Sequence, residues 1–112
     1  MQAEFITAAD GTQIAMRVYE PDSPDRGSVV IGGAMGVRQD YYAPFAQWLS
    51  GQGWRVTTFD YRGSGDSLPN TPAGGLKGFK ADLFDWTRDY EAAIDHAARA
   101  LPGQPLYLLG HS

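Results

Sequence analysis

The residues Gly110-His111-Ser112 carry the side chain with the clearest chemical use. A serine hydroxyl is a weak nucleophile unless it is held exposed and a base takes its proton. Here an apolar run from Leu106 to Leu109 feeds directly into Gly-His-Ser. That is the first half of the pattern G-x-S-x-G, in which a strand delivers a serine onto a sharp turn before a helix. Gly110 takes the place of the first glycine, which lets the strand pass close beneath the turn, and Ser112 is the candidate nucleophile. His111 fills the unrestricted position. It is not assigned as the base, because adjacent side chains on an extended segment diverge. The three residues equally suit a plain loop, and the strand before them supplies the context that the pattern requires.

A second turn lies at Gly32-Gly33-Ala34-Met35-Gly36, between an apolar run and a helical pattern. Such a turn can aim backbone N–H groups at a developing negative charge. It matches neither phosphate-binding pattern, G-x-G-x-x-G or G-x-x-x-x-G-K-S/T, and no lysine follows it. Two readings stay open: a tight strand–helix turn shaped by Gly33 and Gly36, or an oxyanion turn with the Ala34 N–H as donor. Met35 would line the pocket or fill core space.

A third polar stretch is Asp60-Tyr61-Arg62-Gly63-Ser64-Gly65-Asp66-Ser67. Gly63 and Gly65 suggest left-handed backbone or close approach. Asp60 would pair with Arg62 or accept turn N–H groups. Asp60, Arg62, Gly63, Gly65 and Ser67 are read as a structural turn, since one arginine is a thin basis for phosphate and Ser67 lacks the strand–turn frame. Asp82, Asp85 and Asp89 read as a solvated acidic helix face, and His96 as a surface residue.

The elements that must position these residues follow from periodicity. Ala3 to Thr7 and Thr12 to Tyr19 read as strands closed into a hairpin by Asp10-Gly11, with Ile14, Met16 and Val18 on one face. Val29, Val30 and Ile31 run without alternation, which suits a strand covered on both faces. Tyr41 to Leu49 reads as a helix with Tyr42, Phe45, Trp48 and Leu49 as its apolar stripe and Pro44 in its first turn. Trp54 to Phe59 is the next strand, and Leu68 to Gly78 is irregular. A longer helix is predicted from Lys80 to Leu101, with Leu83, Trp86, Thr87, Tyr90, Ile94, Ala97 and Leu101 inward and Asp89 elsewhere. Pro105 to Leu109 begins another buried strand. The order predicts an α/β architecture: a mixed, mostly parallel sheet with an antiparallel start and helices on both faces.

Composition narrows the function. The 112 residues hold 9 Lys and Arg against 13 Asp and Glu, for a net charge of -4. No basic cluster offers a nucleic-acid footprint, and Lys77 and Lys80 make no polybasic membrane patch. With no cysteine, disulfides, a Cys–His pair and thiolate metal sites are excluded. No run approaches the ~18 apolar residues of a membrane span, and Glu4 lies where a secretory signal would be basic then apolar. A cytoplasmic protein is expected.

Ala9-Asp10-Gly11-Thr12, Gly32-Gly33-Ala34-Met35-Gly36, the stretch from Asp60 to Ser67, and Gly110-His111-Ser112, in that order, resemble the N-terminal part of the α/β-hydrolase superfamily. The resemblance is to serine hydrolases grouped with monoacylglycerol lipases, lysophospholipases and serine aminopeptidase-like proteins. It is especially close to uncharacterised bacterial predicted hydrolases in which the histidine of the usual His-Gly oxyanion motif is replaced; Gly32 stands there in this chain. The resemblance implies that Ser112 is the nucleophile and that a second oxyanion donor follows it. An acidic residue and a histidine would come much later in the chain. No metal and no organic cofactor would be needed. The acyl group would pass to Ser112 and then to water or another acceptor.

Residues 1–112 are then expected to be the N-terminal part of a single α/β-hydrolase domain, since a domain rarely ends on such a strand. The remainder of the chain is an expected partner, and the free piece is expected to fold poorly and be inactive. The function expected is a serine esterase, lipase-like, acting on small-molecule acyl esters. Acyl transfer, amide hydrolysis and a non-catalytic interaction scaffold are the alternatives.

Overall fold

The computed structural model describes residues 1–34, 36–70 and 83–111. Five strands form one sheet: β1 (Gln2–Thr7), β2 (Gln13–Tyr19), β3 (Gly27–Gly32), β4 (Trp54–Phe59) and β5 (Leu106–Gly110). Their spatial order is β1-β2-β4-β3-β5. β2 pairs antiparallel with both β1 and β4, whereas β3 pairs parallel with both β4 and β5. The mixed sheet predicted above is present. The hairpin turns at Asp10-Gly11, where Gly11 takes φ +89°, a conformation that β-carbon sterics deny to most residues.

β3 is buried along its whole length. Its alternation explains why: Val30 faces Ile14, Met16, Phe59 and the alanines Ala93 and Ala97. Val29 and Ile31 face Tyr42, Ala46 and Val56 on the other side. Each face is covered by one helix, α1 (Ala43–Gly51) or α2 (Leu83–Ala100), so β3 needs apolar side chains in both directions.

The first helix starts later than predicted. Gln39–Tyr42 forms a 3₁₀ turn, and α1 follows with Pro44 in its first turn, where its missing N–H costs little. The expected stripe is only partly inward. Ala46 is buried and Tyr42 is in the core, but Phe45 and Trp48 are exposed and stack on each other with centroids 6.2 Å apart.

The second helix departs further. Its buried line is Asp89, Ala93 and Ala97, rotated about 70° from the predicted arc at ~100° per residue. Asp89 therefore belongs to no solvated acidic face. The small alanines let α2 lie close to the sheet. Leu83 is exposed, and Trp86, Tyr90 and Ile94 line, with Tyr61 and Leu108, an apolar groove of about 430 Å³. β5 lies at the sheet edge, and its Tyr107, Leu108 and Leu109 are exposed rather than buried as expected. His96 also differs: it is half-buried and pairs with Glu4 at 3.0 Å. The expected helix start at Lys80, Asp82 and most of the irregular stretch from Leu68 to Gly78 lie outside the described residues; a 3₁₀ turn covers Gly65–Asn70. Among the described residues no helix is long and apolar enough to cross a membrane.

Candidate functional site

Parallel pairing carries β3 and β5 to the same end of the sheet. Gly32 is level with Gly110, and the His111 N–H donates to the Gly32 carbonyl at 3.1 Å. The glycine turn and the exit of β5 are therefore held side by side. Beyond Gly32, the Val37 N–H closes on the Ala34 carbonyl at 3.1 Å, and Gly36 supplies φ +77°.

Two tyrosines support this turn from beneath. A β-carbon on Gly32 would run into the Tyr90 ring, and one on Gly33 would lie 2.8 Å from Tyr42 Cε2. Gly32 thus leaves its room to Tyr90, whose hydroxyl donates to the Leu109 carbonyl at 3.4 Å. Burial pushes the Tyr90 phenol above its ordinary pKa.

The Ala34 N–H, the expected oxyanion donor, is not free. It donates to Tyr42 Oη at 2.9 Å. The same oxygen lies 2.8 Å from His111 Nδ1. The Tyr41 ring stacks on His111 at 6.1 Å, and Tyr42 meets it edge-on at 5.6 Å. One phenol therefore joins the turn after β3 to the last residue described after β5. Ser112 and Met35 themselves lie outside the described residues.

The polar stretch after β4 is structural, and more connected than its sequence indicates. The Asp60 carboxylate accepts from the Gln39 N–H at 2.7 Å, Gln39 Nε2 at 3.0 Å and the Asp66 N–H at 3.0 Å. Of the two partnerships expected for Asp60, turn amides win over Arg62. Gly65 takes φ +51°, and a β-carbon there would collide with the Asp60 carboxylate. Ser67 Oγ donates to the Asp60 carbonyl at 2.6 Å and accepts from the Ala15 N–H at 3.0 Å. A buried hydroxyl so engaged has no role as a nucleophile. Gly63, at φ +81°, turns the chain beside Arg62.

Arg62 is buried between two carboxylates. Its Nη2 donates to Asp89 Oδ1 at 2.8 Å, its backbone N–H to Asp89 Oδ2 at 2.9 Å, and its Nη1 to Asp10 Oδ2 at 2.6 Å. The hydrogen bond from Arg62 holds the Asp10 carboxyl well below the usual carboxylate range. Burial pushes the Asp89 carboxyl up, and Arg62 pulls it back. Burial also works against the Arg62 charge, but the bonds to Asp89 and Asp10 outweigh it and raise its pKa. The cluster ties the β1–β2 hairpin to α2 from the loop after β4. Tyr61 beside it is pushed up to about 12 by burial.

The roles of Tyr42, Gln39 and Asp89 were missed by sequence reasoning. Tyr42 was visible as an apolar stripe member, and the one signal for its second role was that a core tyrosine needs a partner for its hydroxyl. Gln39 and Asp89 carry no periodic signal.

The family model for serine aminopeptidase, S33, matches residues 23–112. The chain belongs to that family. This S33 member is 31% identical to the monoacylglycerol lipase of Mycolicibacterium smegmatis over 102 residues, covering 91% of this chain and 34% of that protein. It is 27% identical to the human monoglyceride lipase over 104 residues, covering 93% and 32%. Its fold matches a carboxyl esterase of Bacillus coagulans with TM-score 0.83 at 18% identity, over 98% of this chain and 36% of the other. The chain thus spans about a third of the length of the relatives it matches, with the α/β-hydrolase architecture of a serine-hydrolase, esterase- and lipase-like scaffold. In the S33 chain the turn at 32–34 and the strand exit at 110–111 are the two described segments that converge on one place.

Proposed function

We propose that this chain supplies the nucleophile and one side of the oxyanion site of a serine hydrolase acting on carboxylic esters of small, lipid-derived substrates. The observation that carries this reading is the hydrogen bond from the His111 N–H to the Gly32 carbonyl, 3.1 Å. It holds the exit of β5, which leads in sequence into Ser112, beside the glycine turn. Ser112 Oγ attacks the ester carbonyl carbon, its proton passes to a histidine, and the carbonyl electron pair moves onto oxygen. Collapse expels the alcohol, which takes the proton, and water then releases the acid from the acyl-serine. The histidine and the acid that orients it come from residues of the complete protein beyond this sequence. The Ala34 amide serves the oxyanion, directly or through the hydroxyl that it holds, and Met35 lines the pocket. The chemistry uses no metal or organic cofactor.

The choice of an ester rests on the lipase names of the relatives. The aminopeptidase description of the family favours a second reading, hydrolysis of an amide on the same scaffold. An activated ester and an activated anilide, offered to the complete protein and to its Ser112→Ala variant, test both. Ester turnover that disappears with the hydroxyl is expected; turnover that survives the substitution contradicts the proposal, and a preference for the anilide selects the second reading.

A further inference from the structure

The turn after β3 has an unexpected feature for an oxyanion site: its amide already has a partner. An oxygen accepting directly from the Ala34 N–H would have to lie where Tyr42 Oη lies, 2.9 Å from that nitrogen. Displacing the phenol is costly. Tyr42 is 8% exposed and belongs to the core cluster with Ile31, Ala46 and Val56. Gly33 sits over its ring with no room for even a β-carbon. The ring is therefore fixed, and the bond to Ala34 persists.

The hydroxyl has one proton to give and two lone pairs that accept. The Ala34 N–H takes one lone pair. His111 Nδ1, 2.8 Å away, either accepts the phenol proton or donates its own. When Nδ1 carries the proton, both partners donate to Oη, and the phenol O–H is free for a third partner. Each incoming bond polarises that O–H and strengthens it as a donor. The change needs the imidazole proton of an exposed histidine to move from Nε2 to Nδ1, and no movement of the buried ring. The hydroxyl lies beside His111, one residue before Ser112 in the chain.

Resting on the serine-hydrolase reading, we propose that the Tyr42 O–H is the hydrogen-bond donor that this turn offers to the oxygen of the reacting carbonyl, with the Ala34 N–H and His111 Nδ1–H bonded behind it. The Ala34 amide then acts through Tyr42, which makes Tyr42 the catalytic residue of the pair.

The test uses the complete protein and its Tyr42→Phe variant, which keeps the ring and loses only the hydroxyl. With a p-nitrophenyl ester, kcat falls about 100-fold, as when one oxyanion donor is removed. KM stays within about threefold, since the interaction is made in the transition state. Affinity for a trifluoromethyl ketone falls by a factor similar to kcat. A kcat within about threefold of wild type, or above it, overturns the proposal; a rise would mean that the phenol blocks the Ala34 amide. A crystal structure of the wild-type protein with the ketone on Ser112 decides the matter without any variant. The hemiketal oxygen is expected within hydrogen-bond distance of Tyr42 Oη, and an oxygen bonded to the Ala34 N–H with the phenol displaced overturns the assignment. If the wild-type protein shows neither Ser112-dependent turnover nor a serine adduct, the hydrolase reading itself has failed, a result distinct from failure of Tyr42 alone.

Discussion

Replacing Asp89 by Asn tests the packing of α2 on the sheet. The Asp89 side chain is fully buried and that of Arg62 is 7% exposed, so solvent screens little of their interaction. The carboxylate accepts from Arg62 Nη2, Nε and backbone N–H, at 2.8, 3.1 and 2.9 Å. The amide of Asn keeps the volume, removes the charge and turns an N–H₂ toward a group that only donates. Breaking a buried pair from one side costs about 3–5 kcal/mol. Asp10 still holds Arg62 Nη1 at 2.6 Å, which places the expected loss near the lower bound, about 3 kcal/mol. Urea unfolding of the complete protein measures it. The double variant Arg62→Met with Asp89→Leu should recover part of the loss, because no unpaired charge is left in the core; Asp10, the other partner of Arg62, is 34% exposed and meets solvent. A loss below about 1 kcal/mol in Asp89→Asn, the scale of an ordinary neutral hydrogen bond, would refute the reasoning. Arg62 would then be satisfied by Asp10 and by Asp85, 3.8 Å away.

Ser67→Ala should lower stability by about 1–3 kcal/mol, by stranding the buried Ala15 N–H, yet leave fluorophosphonate labelling intact; lost labelling would reopen Ser67 as a nucleophile. Gly65→Ala forces a β-carbon onto the Asp60 carboxylate at φ +51° and should cost more than about 2 kcal/mol, readable in the same urea titration. For acid, the sign follows from Asp10. Its folded pKa is depressed by Arg62, so its contribution is present above the unfolded value of about 4 and is lost as pH falls below it. Asp10→Asn should flatten the fall in melting temperature between about pH 4 and pH 2, and an unchanged acid limb would contradict that contribution.

Much of the fold was legible because its signals are local. The unbroken Val29-Val30-Ile31 run announced a strand covered on both faces, Asp10-Gly11 announced the hairpin, and the spacing from Tyr41 to Leu49 announced a helix, with its start read two residues early. The errors share one cause: apolar periodicity counts side chains without their partners. Asp89 reads as a surface acid until Arg62 is seen beside it. Phe45 and Trp48 read as core, yet α1 turns Ala46 inward and leaves them to stack on each other. At the candidate site the two segments that converge, the glycine turn and the exit of β5, were legible from glycine spacing next to strands. The bond between Ala34 and Tyr42 was not, because it joins a backbone amide to a phenol eight residues away, and nothing in the spacing specifies where a tyrosine hydroxyl ends.

The most direct measurement of the central claim is peptide mapping of the complete protein after reaction with a fluorophosphonate. One adduct is expected, on the peptide that contains Ser112, appearing in step with loss of ester turnover. An adduct on Ser64 or Ser67, or full inactivation with Ser112 unmodified, would contradict it.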